Sequence, residues 1–173
     1  MRRVLAVLIS FIALCTATAP AWAQRVRVVT TFSVLADMVR NVGGDAIELT
    51  NLVGPNADAH VYEPTPADAR AMARAQVVIV NGLGFEGWLD RLIAASGYRG
   101  EVLVASKNVA PRMLGVHPDP HAWQNLANGQ IYVRNIQTAL VNAAPLHASA
   151  IGQRGERYAA ALKALEHEVR NAF

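Results

Sequence analysis

Apolar positions along this chain switch repeatedly between a period of two and a period near that of a helix. RVRVVTT (Arg25–Thr31) alternates and is β-branched, which predicts a strand. FSVLADMVRNVGG then puts Val34, Leu35, Met38, Val39 and Val42 on one helical face and stops at Gly43–Gly44. AIELTNLV predicts a second strand. After a loop, TPADARAMARA opens with Thr65 as N-cap and Pro66 in the first turn of a helix. QVVIVNG is a short unbroken apolar run, as a strand covered on both faces requires. GFEGWLDRLIAASG predicts a helix ending near Gly97, and EVLVAS a fourth strand. The span from Lys107 to about Asn128 reads as a loop. YVRNIQTALVNAA reads as a helix that Pro145 breaks, and His147–Phe173 as a last helix with Tyr158, Leu162, Leu165, Val169 and Phe173 along one stripe.

Strands alternating with helices predict the α/β class: a four-stranded parallel sheet flanked by helices, plus a long C-terminal helix. In such sheets the ligand-binding loops gather beyond the carboxyl ends of the strands. The loop after the second strand, GPNADAHVYEPTPAD, carries His60, and the loop after the fourth, HPDPHAWQN, carries His121. The two loops therefore belong on one edge of the sheet, and the reading is that two neighbouring strand tips aim the two imidazoles at one point.

Composition narrows the chemistry that such a point can perform. At 53% hydrophobic and 17% charged residues the chain is of ordinary globular character. Arg2 and Arg3, the apolar run Val4–Leu14 and the small residues of Ala21–Ala23 predict a secretory signal peptide over residues 1–23. That run is short of the ~20 residues a bilayer span needs. Leu14 is too bulky for a lipid-attachment motif, so Cys15 reads as part of the leader. The expected location is the periplasm.

Of the 16 Lys and Arg, Arg2 and Arg3 lie in this leader, whereas all 13 Asp and Glu lie beyond it, so the remainder is near +1. No basic run is left, and nucleic-acid binding has no electrostatic footprint. The single cysteine is Cys15, so beyond the leader disulfides and thiolate ligands are excluded, and a metal would have to use imidazole and carboxylate.

Neutral imidazole is the commonest metal ligand. Pro55, Pro64 and Pro66 stiffen the loop around His60, and Pro118 and Pro120 restrict the backbone before His121. Asp58 and Asp119 are placed to orient the two rings, and Trp123 to keep water off them. Against this stands the plainer reading of each histidine alone, a solvated turn residue. His117 is a possible third ligand, though Pro118 sets it apart from His121. His147 and His167 read as surface residues, Glu63 as locally packed, Trp88 as core, and Glu86 as a brace for the metal loop. NGLGFEGW lacks the spacing of a phosphate-binding loop.

TTFSVLADMV, DAHVYEPTPAD, VIVNGLGFEGWL and DPHAWQN, in that order from Thr30 to Asn125, resemble the extracytoplasmic receptors of bacterial ABC importers for zinc and manganese. YVRNI and YAAALKALEHEV extend the resemblance over nearly all of the rest. It implies that His60 and His121 are metal ligands, that Zn²⁺ or alternatively Mn²⁺ is the cargo, and that a membrane permease is the partner. It further implies two α/β lobes joined by a long helix, with the second lobe supplying a third ligand and an aspartate. On that pattern residues 24–146 form the N-terminal metal-binding lobe and residues 147–173 the linking helix, and the second lobe is missing from the sequence. The stretch VAPRMLGVHP stands where some members carry a histidine-rich insertion.

Two other classes compete. One is a secreted zinc hydrolase in which a bound water is the nucleophile. The sequence has no H-E-x-x-H motif, and Glu63 is the only glutamate in the histidine loops. The other is an interaction domain that binds no metal.

Overall fold

The structure, a computed structural model, describes residues 25–173. The expected signal peptide and Cys15 lie outside the described residues. The elements run β1 (Val26–Phe32), α1 (Ser33–Gly43), β2 (Ile47–Val53), α2 (Pro66–Arg74), β3 (Val77–Val80), α3 (Leu89–Ser96) and β4 (Glu101–Val104). A short hairpin follows, β5 (Met113–Leu114) with β6 (His117–Pro118), and then α4 (Leu126–Ala143) and α5 (Ala148–Ala172).

The four long strands form one parallel sheet in the order β2-β1-β3-β4. Val28 of β1 sits opposite Leu49 on one side and Val77 on the other, and Val77 is opposite Glu101. The VVIV run of β3 is buried at every position, as its unbroken apolar character requires of an inner strand. Helix α1 covers the sheet with Leu35, Met38, Val39 and Val42, while Val34, in its first turn, stays 41% exposed rather than joining that face.

Two helix starts differ from the sequence pattern. Helix α3 begins at Leu89, not near Gly84, because Gly82, Leu83 and Gly84 all have positive φ and turn the chain before it can coil. Helix α4 begins at Leu126, earlier than expected, because the Asn125 side chain accepts from the Ala127 N–H and caps it. Gly129 concealed this first turn in the sequence. It is buried, facing Leu162 of α5. The hairpin β5–β6 falls inside the span that reads as loop, since strands of two residues carry no periodic signal.

Helix α5 is fixed to the sheet layer by its first half. Ile151 and Gly155 are buried, and Gly155 lies so close to Gln137 of α4 that a Cβ there would overlap it. Arg154 donates to the carbonyls of Val42 and Gly43 at 2.9 and 2.6 Å, satisfying the open end of α1. Of the expected apolar stripe, Tyr158 and Leu162 pack against the core, while Leu165, Val169 and Phe173 are exposed.

Candidate metal site

His60 and His121 meet. Their Nε2 atoms are 3.1 Å apart although the residues are 61 positions apart in the chain. The geometry differs from the expected one in one respect: β2 and β4 are not neighbours but the two outer strands of the sheet. The loops that follow them reach inward over the ends of β1 and β3, and an aromatic floor fills the space between. The Phe85 ring centroid lies 4.6 Å from that of His60 and 4.9 Å from that of Trp123. Trp123 in turn stands edge-on to His121 at 5.3 Å and packs on Phe32 at 4.7 Å.

The His60 loop is held from both sides. Ala59 is buried, and its carbonyl accepts from Trp88 Nε1 at 2.7 Å. Tyr62 stacks edge-on against Trp88, and its hydroxyl donates to Asp68 Oδ2 at 2.9 Å. That same Asp68 carboxylate closes a capping box with Thr65 at the start of α2, so the loop ends on a rigid helix. Asp58 does not orient the imidazole as the sequence led one to expect. Its Oδ1 accepts from the backbone N–H of His60 at 2.8 Å, as in an Asx-turn.

Asp119 does orient its histidine. Its Oδ1 accepts both from the His121 backbone N–H at 3.0 Å and from the ring Nδ1 at 2.8 Å. These two bonds, the backbone one first, hold the Asp119 carboxyl below the usual carboxylate range. With Nδ1 facing Asp119, the His121 ring turns its Nε2 toward His60.

Beneath the loops lies a polar anchor that sequence reasoning missed. Asn81, at the end of β3, is fully buried. Its amide nitrogen donates to the carbonyls of Pro120 and Gly82, both at 2.9 Å, and its oxygen accepts from the Tyr132 hydroxyl at 2.6 Å. The side chain thus ties β3, α4 and the His121 loop together. A polar residue closing an apolar strand was the available signal.

Glu86 braces this corner. It accepts from Thr31 Oγ1 at 2.7 Å and from the backbone N–H groups of Asn81 and Gly82 at 2.6 and 3.0 Å. Burial outweighs these donors and raises its carboxyl above the ordinary value. A carboxyl raised in the fold binds more protons there than in the unfolded chain, so its contribution to stability is greatest at low pH. That contribution is lost as pH rises through the raised value. In thermal melts across about pH 4 to about pH 7, the wild type should therefore lose stability relative to Glu86→Gln. Parallel curves would refute this.

The remaining candidates lie elsewhere. His117 is exposed in the hairpin, opposite Leu114, and Glu63 is exposed along a groove with Pro64, Arg91 and Leu92. His167 is exposed and bonded to Asn171. His147 is half-buried rather than on the surface, with Nε2 enclosed, at the end of the short turn that joins α4 to α5. Among the described residues no three His, Cys, Asp or Glu side chains gather into a metal set. A cation touching both Nε2 atoms at ~2.0–2.1 Å would see them roughly 98° apart, between octahedral and tetrahedral values.

Two ring nitrogens converge beyond the carboxyl ends of a parallel sheet, the edge at which such sheets bind their ligands. The family is now plain: residues 28–173 match the model of the zinc-uptake complex component A, periplasmic, and the chain belongs to that family. It is 32% identical to the iron-binding protein YfeA of Yersinia pestis over 86% of this chain and 49% of the relative. It is 31% identical to the manganese ABC transporter substrate-binding lipoprotein PsaA of Streptococcus pneumoniae, over 100% of this chain and 62% of the relative. Among solved structures, the metal-dependent lipoprotein YcdH of Bacillus subtilis superposes with a TM-score of 0.78 at 26% identity, over 85% of this chain and 55% of that one. A periplasmic metal-binding protein of Candidatus Liberibacter asiaticus gives 0.74 at 28% identity. The chain spans about half the length of the curated relatives it matches.

Proposed function

We propose that this chain is the metal-capturing lobe of a substrate-binding component of an ABC importer, that it takes zinc through His60 and His121, and that it passes the ion to a membrane permease. The observation that carries this is the 3.1 Å approach of two Nε2 atoms from separate, independently anchored loops. Residues 24–146 would form the lobe and residues 147–173 the linking helix, after export to the periplasm behind the leader at residues 1–23. Among the described residues no helix is long and apolar enough to cross a membrane.

Imidazole suits zinc and iron, whereas manganese prefers oxygen donors. Relatives are named for manganese and for iron, and the matching family for zinc. Calorimetric titration with Zn²⁺, Mn²⁺ and Fe²⁺ tests the choice, and tighter binding of manganese than of zinc would reverse it. The named relatives are binding proteins, which favours capture over hydrolysis.

Asp119 fixes the ring of one ligand, so Asp119→Ala should weaken zinc binding by about 10–100-fold without removing either donor. A titration giving the wild-type Kd would show that His121 holds its place without that carboxylate.

A further inference from the structure

The two imidazoles stand on a closed trio of rings. Phe32, Phe85 and Trp123 pack pairwise with centroids 4.7 to 4.9 Å apart. Phe85 meets both histidines edge-on, His60 at 4.6 Å and His121 at 6.1 Å. It is 5% exposed, and Phe32 is 6% exposed. None of the three side chains has a lone pair to offer a cation, since the indole nitrogen only donates. On this side the pair faces hydrocarbon, and a water molecule finds no polar partner there. The other side is open, with His60 exposed and the His121 side chain 38% exposed.

The floor is also stiff. Phe85 follows the turn Gly82–Leu83–Gly84, in which Leu83 has φ 57°. That conformation is costly for a leucine and persists only where its surroundings hold it. Here they do. The Phe85 N–H donates to the Gly82 carbonyl at 3.1 Å, and the buried Glu86 side chain accepts from the N–H groups of Asn81 and Gly82. Phe85 is therefore held in place under the pair and cannot swing aside to admit a ligand.

We propose that Phe85 is a selectivity residue, closing one side of the ion's coordination shell to water and so favouring zinc over manganese. The proposal rests on the reading above that His60 and His121 hold a cation. Whatever donors complete the shell then approach from the open side alone. Zinc takes four donors and has no electronic preference for geometry. Manganese is suited by octahedral shells of oxygen, water included, so a shell blocked on one side costs it more.

The test is Phe85→Leu, which keeps the floor apolar but withdraws the ring from the ion. Calorimetry gives the Zn²⁺ and Mn²⁺ affinities of wild type and variant, and far-ultraviolet dichroism checks the fold. Nitrogen sites generally rank zinc above manganese, so what is read is the change in the ratio of the two Kd values. The ratio should move toward manganese by about tenfold. A cobalt(II) spectrum of the wild type needs no variant. It should show the intense visible bands of an ion with fewer than six ligands, giving way in Phe85→Leu to the weak bands of a six-coordinate ion.

An unchanged ratio in folded Phe85→Leu, whether both affinities fall or neither does, would show that Phe85 only packs the loops. That would overturn the proposal and leave the capture reading standing. Weak six-coordinate bands from the wild type would overturn it too, even where the variant does not fold. No heat and no thermal shift with zinc, manganese or cobalt(II) would overturn both readings.

Discussion

Replacing His121 with alanine is expected to lower zinc affinity by more than the ~10–100-fold that loss of a supporting carboxylate costs, because it removes one of the two proposed donors itself. The same holds for His60→Ala. Neither change should disturb the fold much. His121 is partly exposed and His60 more so, and substitutions at such positions stay within about 0.5 kcal/mol when no buried partner is orphaned. The partner that is released, Asp119, keeps the backbone N–H of residue 121 and has access to water. The signature is therefore a collapse of binding with an almost unchanged melting temperature in the absence of metal. Calorimetry and thermal unfolding on the same samples read both. Wild-type binding by both variants would place the ion elsewhere and end the proposed function.

The second large effect concerns a residue that touches no metal. Asn81→Ala should destabilise the fold by about 2–4 kcal/mol. It removes the Asn81 partner of the buried Tyr132 hydroxyl and of the Pro120 carbonyl at once, while the Gly82 carbonyl keeps the Phe85 N–H, and an unsatisfied buried polar group costs ~1–3 kcal/mol. For a chain of this size each kcal/mol moves the midpoint by about 2–4 °C, so the loss is visible in a simple melt. Tyr132→Phe, which leaves only the Asn81 oxygen unpaired, should cost less. The double variant should cost less than the two summed, since one interaction is removed twice. Strict additivity would mean that the two side chains act independently. Because Pro120 immediately precedes His121, zinc affinity should fall in Asn81→Ala even where the protein is fully folded.

The contrast between these residues shows what the sequence disclosed. Histidines in proline-stiffened loops after the second and fourth strands were legible because residue type, loop stiffness and position beyond the carboxyl ends of parallel strands all pointed one way. The strand order was not, since hydrophobic alternation says which face is buried but not which strands are adjacent. Asn81 and Glu86 were harder still. Their roles depend on donors and acceptors brought in from β1, α4 and the His121 loop, which no local window contains. The late start of α3 turned on left-handed φ values at Gly82, Leu83 and Gly84, and Leu83 gave no warning of its own. The apolar stripe of α5 was read correctly as a pattern, but burial ends near Leu162, because periodicity marks a face without telling how far its cover extends.

The loops that bring His60 and His121 together spring from the two outermost strands. A cation gripping both would therefore act as a removable clasp across the whole breadth of the sheet, fastening chain positions 61 apart. Holding and releasing the ion then becomes a mechanical event for the lobe as well as a chemical one. With the clasp shut, the loops of the sheet's opposite margins would be coupled through the ion, and with it open that coupling would be gone.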